Sequence, residues 1–261
     1  MFMCHADKDS FISLEGRIDE GSFIESEFAN VFIQDGLSLD TPIYRYTSLL
    51  TLLQILSGEF FVNLKRGFSD KHEKGETFMT TCYDFCVAGE SLISEQLEKS
   101  QILKSNLRET KYLPASCWTK EKKENYLMWK AYASEMSGVR ISSTIRCLLE
   151  SIETTDYKVY IGKMCYKNLL KVPISNITNR LFEKSEYYDG EQEIRFYFLP
   201  IKPVSKNAGP LFLKVINPLP LLQEIILSPF LPAKLKGLLK EYLTKTHHCL
   251  ENRIMTSRIY E

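Results

Sequence analysis

The chain reads as an α+β protein: one compact domain in which a mixed, mostly antiparallel sheet is packed with helices. Three observations predict this. Apolar runs of strand length are interleaved with stretches of helical period, and strands come both adjacent in sequence and separated by helices. No fixed-period repeat or low-complexity linker marks a domain cut. At 261 residues, with 44% hydrophobic and 25% charged residues, the chain can bury a substantial core.

Residues 1–40 mix acids with isolated aromatics (Phe11, Phe23, Phe28, Phe32) and sustain no period. They read as a lead-in segment with a short helix near Ser22 to Phe32, and residues 41–261 as the α+β domain. After Pro42, Ile43-Tyr44-Arg45-Tyr46 has strand composition, and Thr47 or Ser48 can cap the next helix by accepting a bond from an orphan amide. Leu49, Leu52, Leu53 and Leu56 share one face of that helix. Gly58 ends it in the left-handed region, and Glu59 to Leu64 follows as a buried strand. Lys65 to Thr77 is a polar loop, the run FMTTCYDFCVA from Phe78 a strand, and Ser91 to Arg108 an amphipathic helix.

Leu113 to Thr119 predicts another strand, ending in the charged turn KEKKEN. Asn125 caps a helix on which Tyr126, Trp129, Tyr132 or Ala133, and Met136 recur every three or four positions, with Gly138 as its stop. Val139 to Thr144 is a strand with Ser142, Ser143 and Thr144 lined up at its end. A short helix, the strand YKVYIGKMCY from Tyr157, and a further loop and helix lead to the strand at Phe196 to Ile201. PLPLLQEIILSP predicts a strand. Ala233 to Lys245 predicts a helix whose Leu235, Leu238, Leu239, Tyr242 and Leu243 follow the amphipathic spacing, and Arg253 to Tyr260 closes the sheet.

Lys+Arg and Asp+Glu both total 33, so no global field draws the chain to nucleic acid or an anionic membrane. No run of about 18 apolar residues occurs, which excludes a membrane-spanning helix. Seven cysteines without a framework, and an acidic start unlike a secretory signal, predict reduced thiols in a cytoplasm. Cys82 and Cys86 with His72 lack a second pair at ligand spacing, and His247-His248 lie far along the chain, so no metal site is assigned. Glycine-rich phosphate loops of the dinucleotide-binding and P-loop types are absent.

Chemistry is densest from Phe182 to Phe198, FEKSEYYDGEQEIRFYF. On an extended backbone Glu191, Glu193 and Arg195 share one face, with Gln192, Ile194 and Phe196 on the other. Two carboxylates beside a guanidinium suit a site that handles charge; they equally suit a solvated cross-strand ladder of ion pairs. Trp129, Tyr132 and Met136 suit core packing, and Arg45 a buried ion pair.

Tyr44-Arg45-Tyr46, Trp118, Met128-Trp129 with Tyr132-Ala133, Gly138-Val139 and Glu191-x-Glu193-x-Arg195 together resemble the bacterial family filed as domain of unknown function 2971, from about Tyr44 to Ile259. Where that family has a Phe-Asn-Asp-Pro-like loop, this chain has Phe68-Ser69-Asp70-Lys71. The order of an early strand arginine, a middle polar or aromatic segment and a late Glu-x-Glu is also similar to ADP-ribosyltransferases. That resemblance implies an ADP-ribosyltransferase-like fold, NAD as substrate, and a protein or nucleic-acid acceptor. It also implies a toxin-like role in antiphage defence under a protein regulator.

Under this resemblance Glu193 is the principal catalytic carboxylate, beside the ribose as it becomes cationic, and Glu191 orients or deprotonates the acceptor. Arg45 holds a phosphate or ribose, while Tyr44, Tyr46, Trp129, Tyr132 and Ser142 bind the cofactor. Two alternatives stand beside it: a noncatalytic nucleotide- or protein-binding sensor domain, and a metal-dependent nuclease.

Overall fold

The computed structural model describes residues 11–12, 22–65, 112–133, 137–167, 181–202, 204–205 and 209–259. The expected strand from Phe78, the helix from Ser91 to Arg108, the Phe68–Lys71 loop, the Cys82/Cys86/His72 group and Met136 lie outside the described residues.

Among the described residues the chain begins with β1 (Phe11–Ile12), β2 (Phe23–Glu25) and β3 (Val31–Gln34). Next come β4 (Pro42–Ser48), α1 (Leu49–Leu56), β5 (Glu59–Leu64) and β6 (Pro114–Thr119). The middle holds α2 (Tyr126–Tyr132), β7 (Gly138–Thr144), α3 (Ile145–Ser151), β8 (Tyr157–Lys163) and β9 (Cys165–Lys167). After β10 (Glu183–Ser185), a 3-10 helix (Glu186–Glu191) leads into β11 (Glu193–Pro200). The chain closes with β12 (Val204–Ser205), β13 (Leu211–Lys214), α4 (Pro218–Leu221), β14 (Glu224–Leu227), α5 (Ala233–Thr246) and β15 (Ile254–Thr256).

The main sheet runs β15-β14-β7-β4-β6-β11-β8-β3-β2, with β5 and β13 branching from β6. Most pairs are antiparallel, and β3 with β8 and β14 with β15 are parallel, so the fold is α+β around one open mixed sheet. No described helix is long and apolar enough to cross a membrane.

Local chemistry sets the elements that frame the site. Ser48 caps α1 by accepting from the Thr51 amide, and Asn125 caps α2 by accepting from the Leu127 and Met128 amides. Gly58, at φ +102°, makes the left-handed turn from α1 into β5.

Pairing hands over along one edge of β6. At one end Tyr44 of β4 pairs with Thr119; at the other, Asn63 and Leu64 of β5 pair with Ala115 and Pro114. Between them, Ser116 to Trp118 take no strand partner on that edge among the described residues. The sheet is split there, with α1 bridging from β4 to β5.

Side-chain alternation gives the two faces different jobs. One face sends Ile43, Phe60, Trp118, Ile194, Phe196 and Phe198 into the largest core cluster, which α1, α3, α4 and α5 cover. The opposite face carries two smaller clusters. Phe182, Tyr197 and Tyr160 centre one, and Tyr46 with Trp129 of α2 centres the other. The polar face between these clusters is where the site lies.

Several expectations are corrected. The helix near Ser22 to Phe32 is instead β2 and β3, which pair with each other, β3 also pairing with β8, so residues of the expected lead-in extend the main sheet. Gly138 opens β7 rather than stopping a helix. In α1 the buried residues are Leu52 and Ile55, while Leu53 is exposed. In α5 only Leu243 of the expected stripe is buried, and Leu235, Leu238 and Tyr242 face solvent. PLPL forms the turn of α4 before the strand.

One glycine is set by close approach. A Cβ on Gly162 would meet the Phe182 ring at 2.7 Å, and Phe182 anchors the chain two residues before Lys184. Gly162→Ala is expected to cost ~1–3 kcal/mol through this overpacking. Urea denaturation checks it: an unchanged midpoint would show that Phe182 yields freely.

Candidate functional site

Cross-strand registry collects the site. Glu193 pairs with Thr119 and Arg195 with Cys117, so all four side chains share the face that also carries Tyr44 and Asn63. These residues floor a cleft of ≈ 410 Å³, a size typical of small-molecule sites. Tyr132 and Met128 of α2 wall one side; Lys184, Tyr188 and Glu191 wall another.

At the centre is an ion-pair network. Arg195, 1% exposed, donates from Nε to Glu193 Oε1 at 2.6 Å and from Nη2 to Oε2 at 3.0 Å. Lys184 Nζ lies 3.2 Å from Glu193 Oε2 and 2.6 Å from Glu191 Oε2. The Tyr132 hydroxyl donates to the other Glu191 oxygen. Lys184 also sits over the Tyr188 ring, 4.8 Å from its centroid.

The two carboxylates differ in acidity. Burial pushes the Glu193 carboxyl up, but the Arg195 and Lys184 charges and the Arg195 hydrogen bonds outweigh it and hold the pKa at about 2. Glu191 is held above the usual carboxylate range, because burial outweighs the opposing effects of Lys184 and the Tyr132 hydroxyl. Burial and the neighbouring carboxylates also push the Tyr132 hydroxyl up, so it stays protonated and donates.

Arg45 reaches the cleft by a different route. Alternation puts it on the core face, and its guanidinium occupies the split between β4 and β5. Its Nη1 donates to Ser116 Oγ at 3.2 Å, and its Cζ lies 5.4 Å from the Phe60 and 5.8 Å from the Trp118 ring centroid. No carboxylate pairs with it among the described residues, and burial lowers its pKa.

Of the residues expected from sequence, Glu193, Glu191, Arg45, Tyr44, Tyr46 and Tyr132 line this one cleft. Trp129 and Ser142 do not. Trp129 is fully buried behind the wall, edge-on to Tyr46 at 5.0 Å, with Nε1 donating to Glu124. It supports the cleft and offers no ring to a ligand. The Ser142 hydroxyl donates to Glu224 at 3.1 Å, away from the cleft. Tyr44 and Tyr46 present little surface: the Arg140 guanidinium covers Tyr44 at 4.2 Å, and the Tyr46 hydroxyl accepts from the Asn125 amide.

Glu191 is not on the strand with Glu193. It ends the 3-10 helix, and Gln192, at φ 45° and ψ 48°, makes a left-handed turn before β11 begins. Sequence reasoning missed Lys184, Tyr188 and Cys117. Lys184 lies seven positions before Glu191 but on a different element, a strand where Glu191 ends the 3-10 helix, so no single period brings them together; only the charge density of the segment pointed there. Among the described residues no group of three potential metal ligands occurs.

Comparisons with family models, with curated proteins and with solved structures found no match.

Glu193→Gln is expected to cost ~3–5 kcal/mol, since it removes the charge that accepts both bonds from the buried Arg195 guanidinium. Because the folded-state pKa is depressed, the Glu193 contribution is full above about pH 4.5 and fades as pH falls towards about 2. Denaturation at a series of pH values checks both: the variant should lack this acid-limb loss. At Gln192, glycine adopts the left-handed turn without a Cβ penalty, so Gln192→Gly should hold the wild-type Tm whereas Gln192→Val should lower it. Equal Tm values for the two variants would refute a backbone constraint there.

Proposed function

We propose that the cleft binds NAD and breaks its nicotinamide–ribose bond, passing ADP-ribose to a protein or nucleic-acid acceptor or to water. The observation that carries this reading is one cleft holding a guanidinium with no carboxylate partner among the described residues, beside two carboxylates of unlike acidity. With Arg45, Lys184 and Arg195 against Glu191 and Glu193, these five groups leave a net charge of +1. A cation between Phe60 and Trp118 is stabilised by an anion, and a pyrophosphate accepts its fork of donors.

In the reaction the bond between ribose C1′ and the nicotinamide nitrogen breaks, and its electron pair leaves with nicotinamide. The ribose is left as an oxocarbenium-like cation, which a neighbouring carboxylate stabilises. Water or an acceptor nucleophile then bonds to C1′ and releases a proton. Glu193 is committed to Arg195 and Lys184, so Glu191, raised in pKa and held by Tyr132 at the cleft, is the better-placed proton acceptor. The acting carboxylate thus moves from Glu193, favoured by the sequence, to Glu191.

Of the three places that the resemblance to ADP-ribosyltransferases implies, Arg45, Tyr132 and Glu193 line one cleft, while Ser142, its alternative for the middle place, does not. One observation favours a second reading, a nucleotide sensor without chemistry: Lys184 and Arg195 already neutralise both carboxylates.

Purified protein incubated with NAD, with and without nucleic acid or lysate, should release nicotinamide on chromatography. Glu191→Gln should slow release by ~100-fold or more. Arg45→Gln should weaken ADP-ribose binding ~10-fold or more by calorimetry. ADP-ribose binding without nicotinamide release would select the sensor; neither release nor binding would sink both readings.

A further inference from the structure

We infer that Lys184 is a positioning residue: its ammonium holds Glu191 at the cleft between Tyr132 and Glu193, and among the described residues it alone supplies that carboxylate's countercharge. The inference deepens the proposed reading, on which it rests for the role of Glu191, and it concerns a residue that does not itself meet the reacting bond.

Lys184 is fixed from both sides in sequence. It lies at the centre of β10, which pairs in parallel with β9, so that Lys184 stands opposite Tyr166. The Cys165 amide donates to the Phe182 carbonyl at 2.7 Å, and the Phe182 ring lies against Gly162. The lysine is 5% exposed, so its side chain is held within the protein and points at the carboxylates.

The ammonium matters differently to its two partners. Glu193 has Arg195 donors on both oxygens, so removing Lys184 leaves it paired. Glu191 has only Lys184 as a cation and Tyr132 as a neutral donor. The groups facing Glu191 come from every element around it: Lys184 of β10, Tyr132 of α2, Glu193 of β11, Tyr166 of β9 and Tyr188 of its own turn. Glu193, a like charge, favours the protonated form of Glu191; the Tyr132 hydroxyl favours the ionised form. Lys184 therefore opposes burial and the Glu193 charge, both of which raise the Glu191 pKa, and favours the ionised form that can accept a proton.

Carboxyl carbons followed by NMR across pH, in the full chain labelled at glutamate, test this directly. In Lys184→Met the Glu191 midpoint should rise, by about tenfold or more in proton affinity, while Glu193 stays ionised over the same range. Lys184→Arg should restore most of the wild-type midpoint. The acid limb of nicotinamide release should move with Glu191. If Lys184→Met does not fold, Lys184→Gln keeps a polar head without charge and takes the same measurement.

A Glu191 midpoint unmoved by loss of the charge, or the same displacement in Lys184→Arg, would overturn the inference. Midpoints that move as expected without nicotinamide release would overturn the proposed reaction and leave the positioning role intact. Release that continues with static midpoints would overturn the positioning role alone.

Discussion

Arg195 sits near the middle of the main sheet at 1% exposure, and its guanidinium stays charged there because both Glu193 oxygens take its donors. Removing either partner would break this two-donor pairing in low dielectric, which is costly. More than two side chains depend on it. Arg195 Nη1 also donates to the Tyr197 hydroxyl at 3.2 Å, which in turn donates to the Leu181 carbonyl at 2.8 Å. That relay fixes the start of the segment bearing Lys184. Glu193 itself begins β11, with its amide bonded to the Tyr166 hydroxyl and its carbonyl to the Met164 amide. The ion pair thus joins the strand, the β9–β10 ribbon and the cleft wall.

The split along β6 is the second constraint. In a continuous sheet Arg45 would point into the apolar core, where an arginine without a carboxylate is costly. Where β4 diverges from β5 along β6, a residue patterned for the core face also lines the cleft. Ser116 accepts from both Arg45 and the Trp118 indole, at 3.2 Å and 3.0 Å, and steadies the guanidinium without neutralising it. Core packing and the site's electrostatics meet at this position.

Much of this frame was legible in the sequence because its signals are local. The caps at Ser48 and Asn125, the glycine at 58 and the apolar runs of β4, β5 and β6 each depend on neighbours within a few residues. Alternation also brought Glu193 and Arg195 to one face correctly. It failed for Glu191, because a single left-handed residue at Gln192 takes the chain off the strand, and glutamine gives no warning of that conformation. It failed for residues 22–34 because their isolated aromatics sustain no period, and strands of three and four residues are too short to show a period of two. Ser142 and Trp129 have the right chemistry, yet Glu224 and Glu124 engage them elsewhere. Lys184 was invisible for a different reason: its role is set by three segments that meet only in the fold.

A ladder of surface ion pairs would account for Glu191, Glu193 and Arg195 as a pattern, and two features of the structure argue against it as the whole explanation. A ladder needs only a regular strand, whereas this chain leaves the strand at Gln192, in a backbone region where a side chain is unfavourable, and so turns Glu191 towards Lys184 and Tyr132. A ladder also ends neutral. Here two carboxylates face three cations, and the surplus charge, Arg45, is the one that core packing holds in place and no acid balances among the described residues. Strain that directs a carboxylate into a cleft, beside a cation that no acid balances among the described residues, costs stability that packing alone would not require, and under the proposed reading a bound anionic ligand would offset that cost.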